Sequence, residues 1–173
     1  MKIRPRHVVI VGGGSGIGFA TAERLIELGI STVVLSGRNS DRLDDAKKQL
    51  LAEYQNTKVN IVTQKFDITD ISNHTNFFEG FQTKLGSIID GLIISSGVNF
   101  SASNWRGFNI SESDYDKVMQ VNLKGPFFLI RNFSDYVLKN ETKANICVVS
   151  SISAHRDMLS VYQISKHALS GIV

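Results

Sequence analysis

Near its start the chain runs Val8-Val9-Ile10-Val11 straight into Gly12-Gly13-Gly14-Ser15-Gly16-Ile17-Gly18, and then into Phe19-Ala20-Thr21-Ala22-Glu23-Arg24-Leu25. A short β-branched apolar run reads as a buried strand, and the segment behind the glycines reads as a helix. A strand that ends in glycines and opens a helix aims unpaired backbone N–H groups and the positive end of the helix dipole at one point. Glycines there let the backbone approach a pyrophosphate and let helix pack closely on strand. A glycine pattern is weak evidence alone, but the strand–turn–helix context it needs is present. Gly12, Gly14, Ser15, Gly16, Ile17 and Gly18 are therefore expected to bind phosphate, the alternative being a merely tight turn.

The rest of the chain repeats this unit. Apolar runs at residues 7–11, 32–36, 60–65, 90–95 and 145–150 alternate with helical candidates at 16–28, 41–54, 71–85 and 111–138, and a last helix begins near Leu159. Start signals stand at Ser40-Asp41, Thr69-Asp70 and Ser111 to Asp114. Strands alternating with helices imply a parallel sheet covered on both faces. The expected fold is α/β, a doubly wound Rossmann-type sheet in three layers, with residues 1–173 forming one domain. The usual form of that fold has six strands, and five are found. Ala168, Leu169, Ile172 and Val173 carry no helix stop signal. The sequence thus predicts a domain incomplete at its C-terminus, its absent strand belonging beside 145–150. That strand would then offer a flat apolar edge, an association hazard. A fragment, a covering second chain and a damaged protein all fit this pattern.

At 173 residues, with 42% apolar and 20% charged side chains, the composition suits one globular domain. The net charge of +3 is spread rather than gathered into a patch, so a nucleic-acid partner is not expected. The basic start, Met1 to His7, is followed by too short an apolar run for a secretory signal, and no run reaches transmembrane length. Cytoplasmic localisation and no membrane partner follow as expectations. Cys147 has no partner cysteine and lies in an apolar run, which reads as a reduced core residue. His7, His74, His155 and His167 show no metal-ligand spacing, so no metal is expected.

The second strand supplies a cofactor signal. A NAD-binding fold would place an acid about twenty residues past the glycines, on the ribose 2′-hydroxyl. The strand here ends Leu35-Ser36-Gly37-Arg38-Asn39, with no acid at its tip. Arg38 can pair with a 2′-phosphate through its planar fork, or be simply a surface charge.

The spacing Gly-x-x-x-Gly-x-Gly resembles the short-chain dehydrogenase/reductase family, whose fingerprint is Thr-Gly-x-x-x-Gly-x-Gly; Val11 stands in the threonine place. In similar enzymes a small residue followed by Arg goes with NADP, so the resemblance implies NADP, with NAD possible. Asp67, in Phe66-Asp67-Ile68-Thr69-Asp70, looks like the family's Asp facing the adenine, with Ile68 beside it; a helix-capping role is the alternative. The stretch Asp90 to Val98 occupies the place of the family's Asn-Asn-Ala-Gly, with Gly97 matching and Ser95 and Ser96 replacing Asn and Ala. There Ser96 and Gly97 would pass the cofactor, and the side-chain bond of the replaced Asn is lost. Val118 to Phe128 resembles the helix that carries the family's active-site Asn, here Asn122. An Asn is unhelpful inside a helix, and Gly125 and Pro126 after it would kink that helix.

Tyr162-Gln163-Ile164-Ser165-Lys166 puts a phenol and an ammonium on one face of the last helix. The resemblance makes Tyr162 the general acid that protonates a carbonyl oxygen, and the base when an alcohol is oxidised. A free phenol, with a pKa of about 10, is a poor base at neutral pH. A neighbouring ammonium and a positive nicotinamide would stabilise its phenolate. Lys166 would also hold the nicotinamide ribose, Ser151 the substrate oxygen, and Asn122 a water in the proton relay. From Ser151 to Tyr162 is eleven positions, about two fewer than the family usually has, so 152–160 is a shortened active-site loop. Ser150 would restore one position but alternates to the other face of the strand, which favours Ser151. The implied activity is NADP-dependent exchange between a carbonyl and an alcohol on a small molecule. The rival is a truncated, inactive relative that serves as a nucleotide-binding or interaction module. Relatives pair through the two long helices, so a homo-oligomer is expected.

Overall fold

The structure is a computed structural model in which residues 5–99, 110–155 and 160–172 are described. Five strands, β1 (His7–Val11), β2 (Thr32–Gly37), β3 (Asn60–Lys65), β4 (Gly91–Ile94) and β5 (Asn145–Val148), form one parallel sheet in the order β3-β2-β1-β4-β5. The order reverses direction between β1 and β4. In an open α/β sheet the strand ends at such a switch point leave a crevice for a ligand.

Successive side chains of a strand face opposite ways, so β1 serves two cores at once. Val8 and Ile10 pack with Ala22 and Ile26 of α1 (Gly16–Glu27) and with Leu43, Ala46 and Leu50 of α2 (Ser40–Glu53). Val9 and Val11 pack on the other face with Phe77, Phe78 and Phe81 of α3 (His74–Leu85) and with Leu129 and Phe133 of α5 (Gly125–Lys139). The helix positions recur every three or four residues, the apolar stripe of a helix laid on a sheet. Phe78 and Phe133 are fully buried, and each such side chain contributes about 1.5–3 kcal/mol by leaving water. Among the described residues the remaining α-helices are α4 (Glu112–Met119) and α6 (Val161–Ser170).

Four details depart from the sequence expectation. The helix expected over 111–138 is interrupted: a π-helical turn at Gln120–Lys124 separates α4 from α5, and Pro126 falls in the first turn of α5. The third helix likewise starts late, behind a 3-10 turn at Ile71–Asn73. Asn39, one residue before Ser40-Asp41, caps α2 by accepting the Arg42 N–H at 2.9 Å, whereas Ser111 caps α4 as expected. Cys147 is not a core residue. It is exposed on β5, one of the two edge strands of the sheet among the described residues, where alternate side chains face outward. Leu159, the expected start of the last helix, lies outside the described residues, and α6 begins at Val161.

Candidate functional site

The carboxyl ends of the strands frame a cleft of about 390 Å³. Gly12, Gly14, Ser15, Gly16, Ile17, Arg38, Asp67, Ile68, Ser96 and Gly97 all line it, so most of the expected cofactor residues face one space. Gly18, Tyr162 and Lys166 are not in its lining.

The floor of the cleft is shaped by missing side chains. Gly12 has φ +92°, and a Cβ there would lie 2.7 Å from the Ser96 nitrogen. A Cβ on Gly18 would run into the Gly12 carbonyl oxygen, so Gly18 acts by letting α1 pack against the turn rather than by facing the cleft. The Gly12 and Gly13 N–H groups donate to the Ser36 carbonyl at 2.7 and 3.1 Å, fixing the turn to the end of β2. Ser15 precedes α1 in extended conformation, with no side-chain cap on the helix N–H groups. Two buried hydroxyls on the cleft, Ser36 Oγ and Ser96 Oγ, have no hydrogen-bond partner. Buried polar groups are nearly always paired, so these two point to a polar occupant. A glycine cradle, an open helix N-terminus and unpaired hydroxyls fit a nucleotide.

At the rim, Arg38 is exposed and faces the cleft together with Arg42. Arg42 was not expected from sequence; its place on the first turn of α2, four residues after Arg38, was the available signal. Asp67 lies on the wall, its carboxylate accepting the Thr69 N–H at 2.9 Å and the Thr69 hydroxyl at 2.8 Å. The acid therefore stabilises its own turn while lining the cleft. It caps no helix, and Asp70 instead receives the Ser72 hydroxyl.

Beyond Gly97 the cleft meets a second cluster. A Cβ on Gly97 would be 3.5 Å from both Asn122 Oδ1 and Lys166 Nζ, so this glycine joins the two groups. Asn122 is fully buried in the π-helical turn. Its Oδ1 accepts the Val98 N–H at 2.8 Å, and its Nδ2 donates to the Val98 carbonyl at 2.9 Å and to Ser165 Oγ at 3.1 Å. Both carboxamide donors are thus committed to protein, and the side chain holds backbone rather than a water. The Asn122 carbonyl differs: the residue four positions on is Pro126, which has no N–H to give it. Gly125 donates to Gln120 in the wider π spacing, and a Cβ on it would lie 2.6 Å from the Ile68 carbonyl oxygen. The π turn thus sits against the Ile68 wall of the cleft.

Lys166 is 4% exposed, and burial pushes its pKa below the usual lysine range. Its Nζ donates to the Val149 carbonyl at 2.9 Å and lies 5.9 Å from the centre of the Tyr162 ring. Ser165, between the two, was not singled out from sequence. It is fully buried, receives Asn122 Nδ2 and donates to the Tyr162 carbonyl at 2.7 Å. A small polar residue inside a Tyr-x-x-x-Lys stretch was the signal for it.

The two serines after β5 differ. Ser150 Oγ donates to the Lys166 carbonyl at 3.3 Å and lies 2.9 Å from Ser170 Oγ, turned to the end of α6. Ser151 Oγ accepts the Ser153 N–H at 3.1 Å, which leaves its own hydrogen to donate. Among the described residues no metal-binding cluster of His, Cys, Asp or Glu occurs, and no helix is long and apolar enough to cross a membrane.

The chain is similar to known oxidoreductases. A WW domain-containing oxidoreductase of Gallus gallus is 32% identical over 149 residues, covering 86% of this chain and 33% of its own length. An uncharacterized oxidoreductase of Staphylococcus epidermidis is 30% identical over 173 residues, covering 99% of this chain and 70% of its own. A metagenomic short-chain oxidoreductase in complex with NADP superposes with a TM-score of 0.79 at 25% identity, over 96% of this chain and 72% of its own. The chain therefore spans between 33% and 70% of the length of these curated relatives. The sequence profile of short chain dehydrogenases matches residues 6–173, from just before the first strand onward, and the chain belongs to that oxidoreductase family.

Proposed function

We propose that this single domain takes part in reversible hydride exchange between NADP(H) and a small carbonyl or alcohol. The observation that carries the reading is the continuity at Gly97, which lines the cleft and where a Cβ would lie 3.5 Å from both Asn122 Oδ1 and Lys166 Nζ. When bound, the nicotinamide supplies or accepts the hydride. Every other step falls to the chain itself.

In the reducing direction Tyr162 gives its phenolic proton to the carbonyl oxygen, so the product is a neutral alcohol. The Ser151 hydroxyl, held by the Ser153 N–H, donates to the same oxygen and orients it. Lys166 holds its Nζ 5.9 Å from the centre of the phenol ring. An ammonium has three donors, and one is spent on Val149, leaving two for ribose hydroxyls. Asn122 acts through its backbone: its side chain fixes Val98 and Ser165, while its carbonyl, without an α-helical donor, accepts a water that returns the proton to Tyr162. Arg38, exposed at the cleft rim, supports NADP over NAD. A homo-oligomer formed through α4, α5 and α6, and a cytoplasmic location, complete the proposal.

The test is NADPH binding followed by thermal shift, with turnover across a panel of aldehydes and ketones. Binding and turnover that vanishes in Tyr162→Phe are expected. Absence of both the thermal shift and turnover would overturn the reading in favour of an inactive interaction module.

A further inference from the structure

Ser151 sits in a tight turn rather than on a strand: the Ala154 N–H donates to the Ser151 carbonyl at 3.0 Å, and the Ser153 N–H donates to Ser151 Oγ. The direction of the free Ser151 hydrogen is therefore set by the turn. The turn itself is attached to α6 on both sides. Before Ser151, Lys166 Nζ holds Val149 and Ser150 Oγ reaches the Lys166 carbonyl. After it, His167 Nδ1 lies 2.9 Å from the Ala154 carbonyl oxygen. A carbonyl only accepts, so Nδ1 carries a hydrogen and donates; charging the ring leaves that bond in place. Among the described residues, the hydrogen bond from His167 is what fixes Ala154 to α6.

We propose that His167 is a positioning residue: it clips the short turn Ser151–Ala154 to α6 and so aims the Ser151 hydroxyl toward the oxygen that Tyr162 protonates. The turn and the acid then move as one body, because both hang from adjacent turns of a single helix. The inference rests on the role given to Ser151 above, yet the clip is measurable without substrate or cofactor. His167 is exposed, so replacing it leaves the core packing unchanged.

Hydrogen exchange of the amides in residues 151–155 is the direct test, compared between the wild-type chain, His167→Ala and His167→Asn, with the amides of α1 to α3 as internal reference. Asn places an N–H donor the same number of bonds from the backbone as Nδ1. Loss of one hydrogen bond is expected to speed exchange at Ser153 and Ala154 about fivefold in the alanine variant, and Asn is expected to restore it. With NADPH and an accepted carbonyl, kcat is expected to fall about as much while KM for NADPH stays unchanged. Unchanged exchange in His167→Ala overturns the clip. So does a normal kcat in that variant when Ser151→Ala abolishes turnover. A wild-type chain that turns nothing over counts against the proposed function, and the exchange result alone then decides the clip.

Discussion

The carboxamide of Asn122 and the backbone of Val98 are joined by two hydrogen bonds that run in opposite directions, at 2.8 and 2.9 Å. The pair ties the π-helical turn to the segment leaving β4, replacing the ladder that ends at Ile94. Because Nδ2 also reaches Ser165, one side chain fixes three parts of the site.

Asn122→Ala is expected to leave the Val98 N–H and carbonyl unpaired in a half-buried place and to destabilise the chain by about 1–3 kcal/mol. Asn122→Asp keeps the acceptor for the Val98 N–H and loses both donors, with its ionised carboxylate facing the Val98 carbonyl. It is expected to be at least as damaging. Urea denaturation checks both, and a loss under about 0.5 kcal/mol for the alanine variant would contradict the assignment.

Gly12→Ala should act on the cofactor and the fold together. The new Cβ would sit 2.7 Å from the Ser96 nitrogen in a backbone that has φ +92°. Strain of that kind costs about 1–3 kcal/mol, and relief can come only by moving the turn that forms the cleft floor. A lower melting temperature and a lost NADPH thermal shift are expected; an unchanged shift would mean that the turn does not hold the nucleotide.

Arg38→Asp is expected to reverse cofactor preference. Losing a charge-assisted bond and adding an acid at the rim should weaken NADPH about ten- to a hundredfold while NADH holds or gains. Arg42 faces the same cleft, so Arg42→Ala should give a smaller loss in the same direction. Titration by nicotinamide fluorescence distinguishes them; equal NADPH affinity in all three proteins would remove the basis for NADP.

The features that were legible in the sequence are those set by local chemistry. β-branched runs form the five strands, and the glycine turn forms a cradle because Gly12 and Gly18 admit no Cβ. What stayed hidden depends on contacts between distant segments. The π turn needs Gly125 to close against the Ile68 carbonyl, about sixty residues earlier, so helical periodicity cannot foresee it. Cys147 looked buried because its neighbours are apolar, but burial is decided by whether another strand lies alongside. Ser165 and His167 acquire roles only when α6 meets Asn122 and the Ser151 turn.

The last prediction concerns His74, which is fully buried on the far side of the cleft wall, with Nε2 3.0 Å from the Ile68 carbonyl oxygen and its ring 5.4 Å from that of Phe66. Burial pushes its pKa below the usual value of 6.5, outweighing the carbonyls of Ile68 and Phe128 and the Asp70 carboxylate, which act in the opposite sense. The folded chain therefore holds His74 neutral where the unfolded chain takes up a proton. Stability from this group is complete above pH 6.5 and declines as the pH falls through that value toward the lowered folded-state pKa. The slope for one proton reaches about 1.4 kcal/mol per pH unit. His74→Leu removes the titration at the cost of an unpaired Ile68 carbonyl, so it should be less stable than wild type at pH 7.5 but lose less on going to pH 5.5. Urea denaturation of the two proteins at both pH values gives the comparison, and identical losses would show that His74 is not the group responsible.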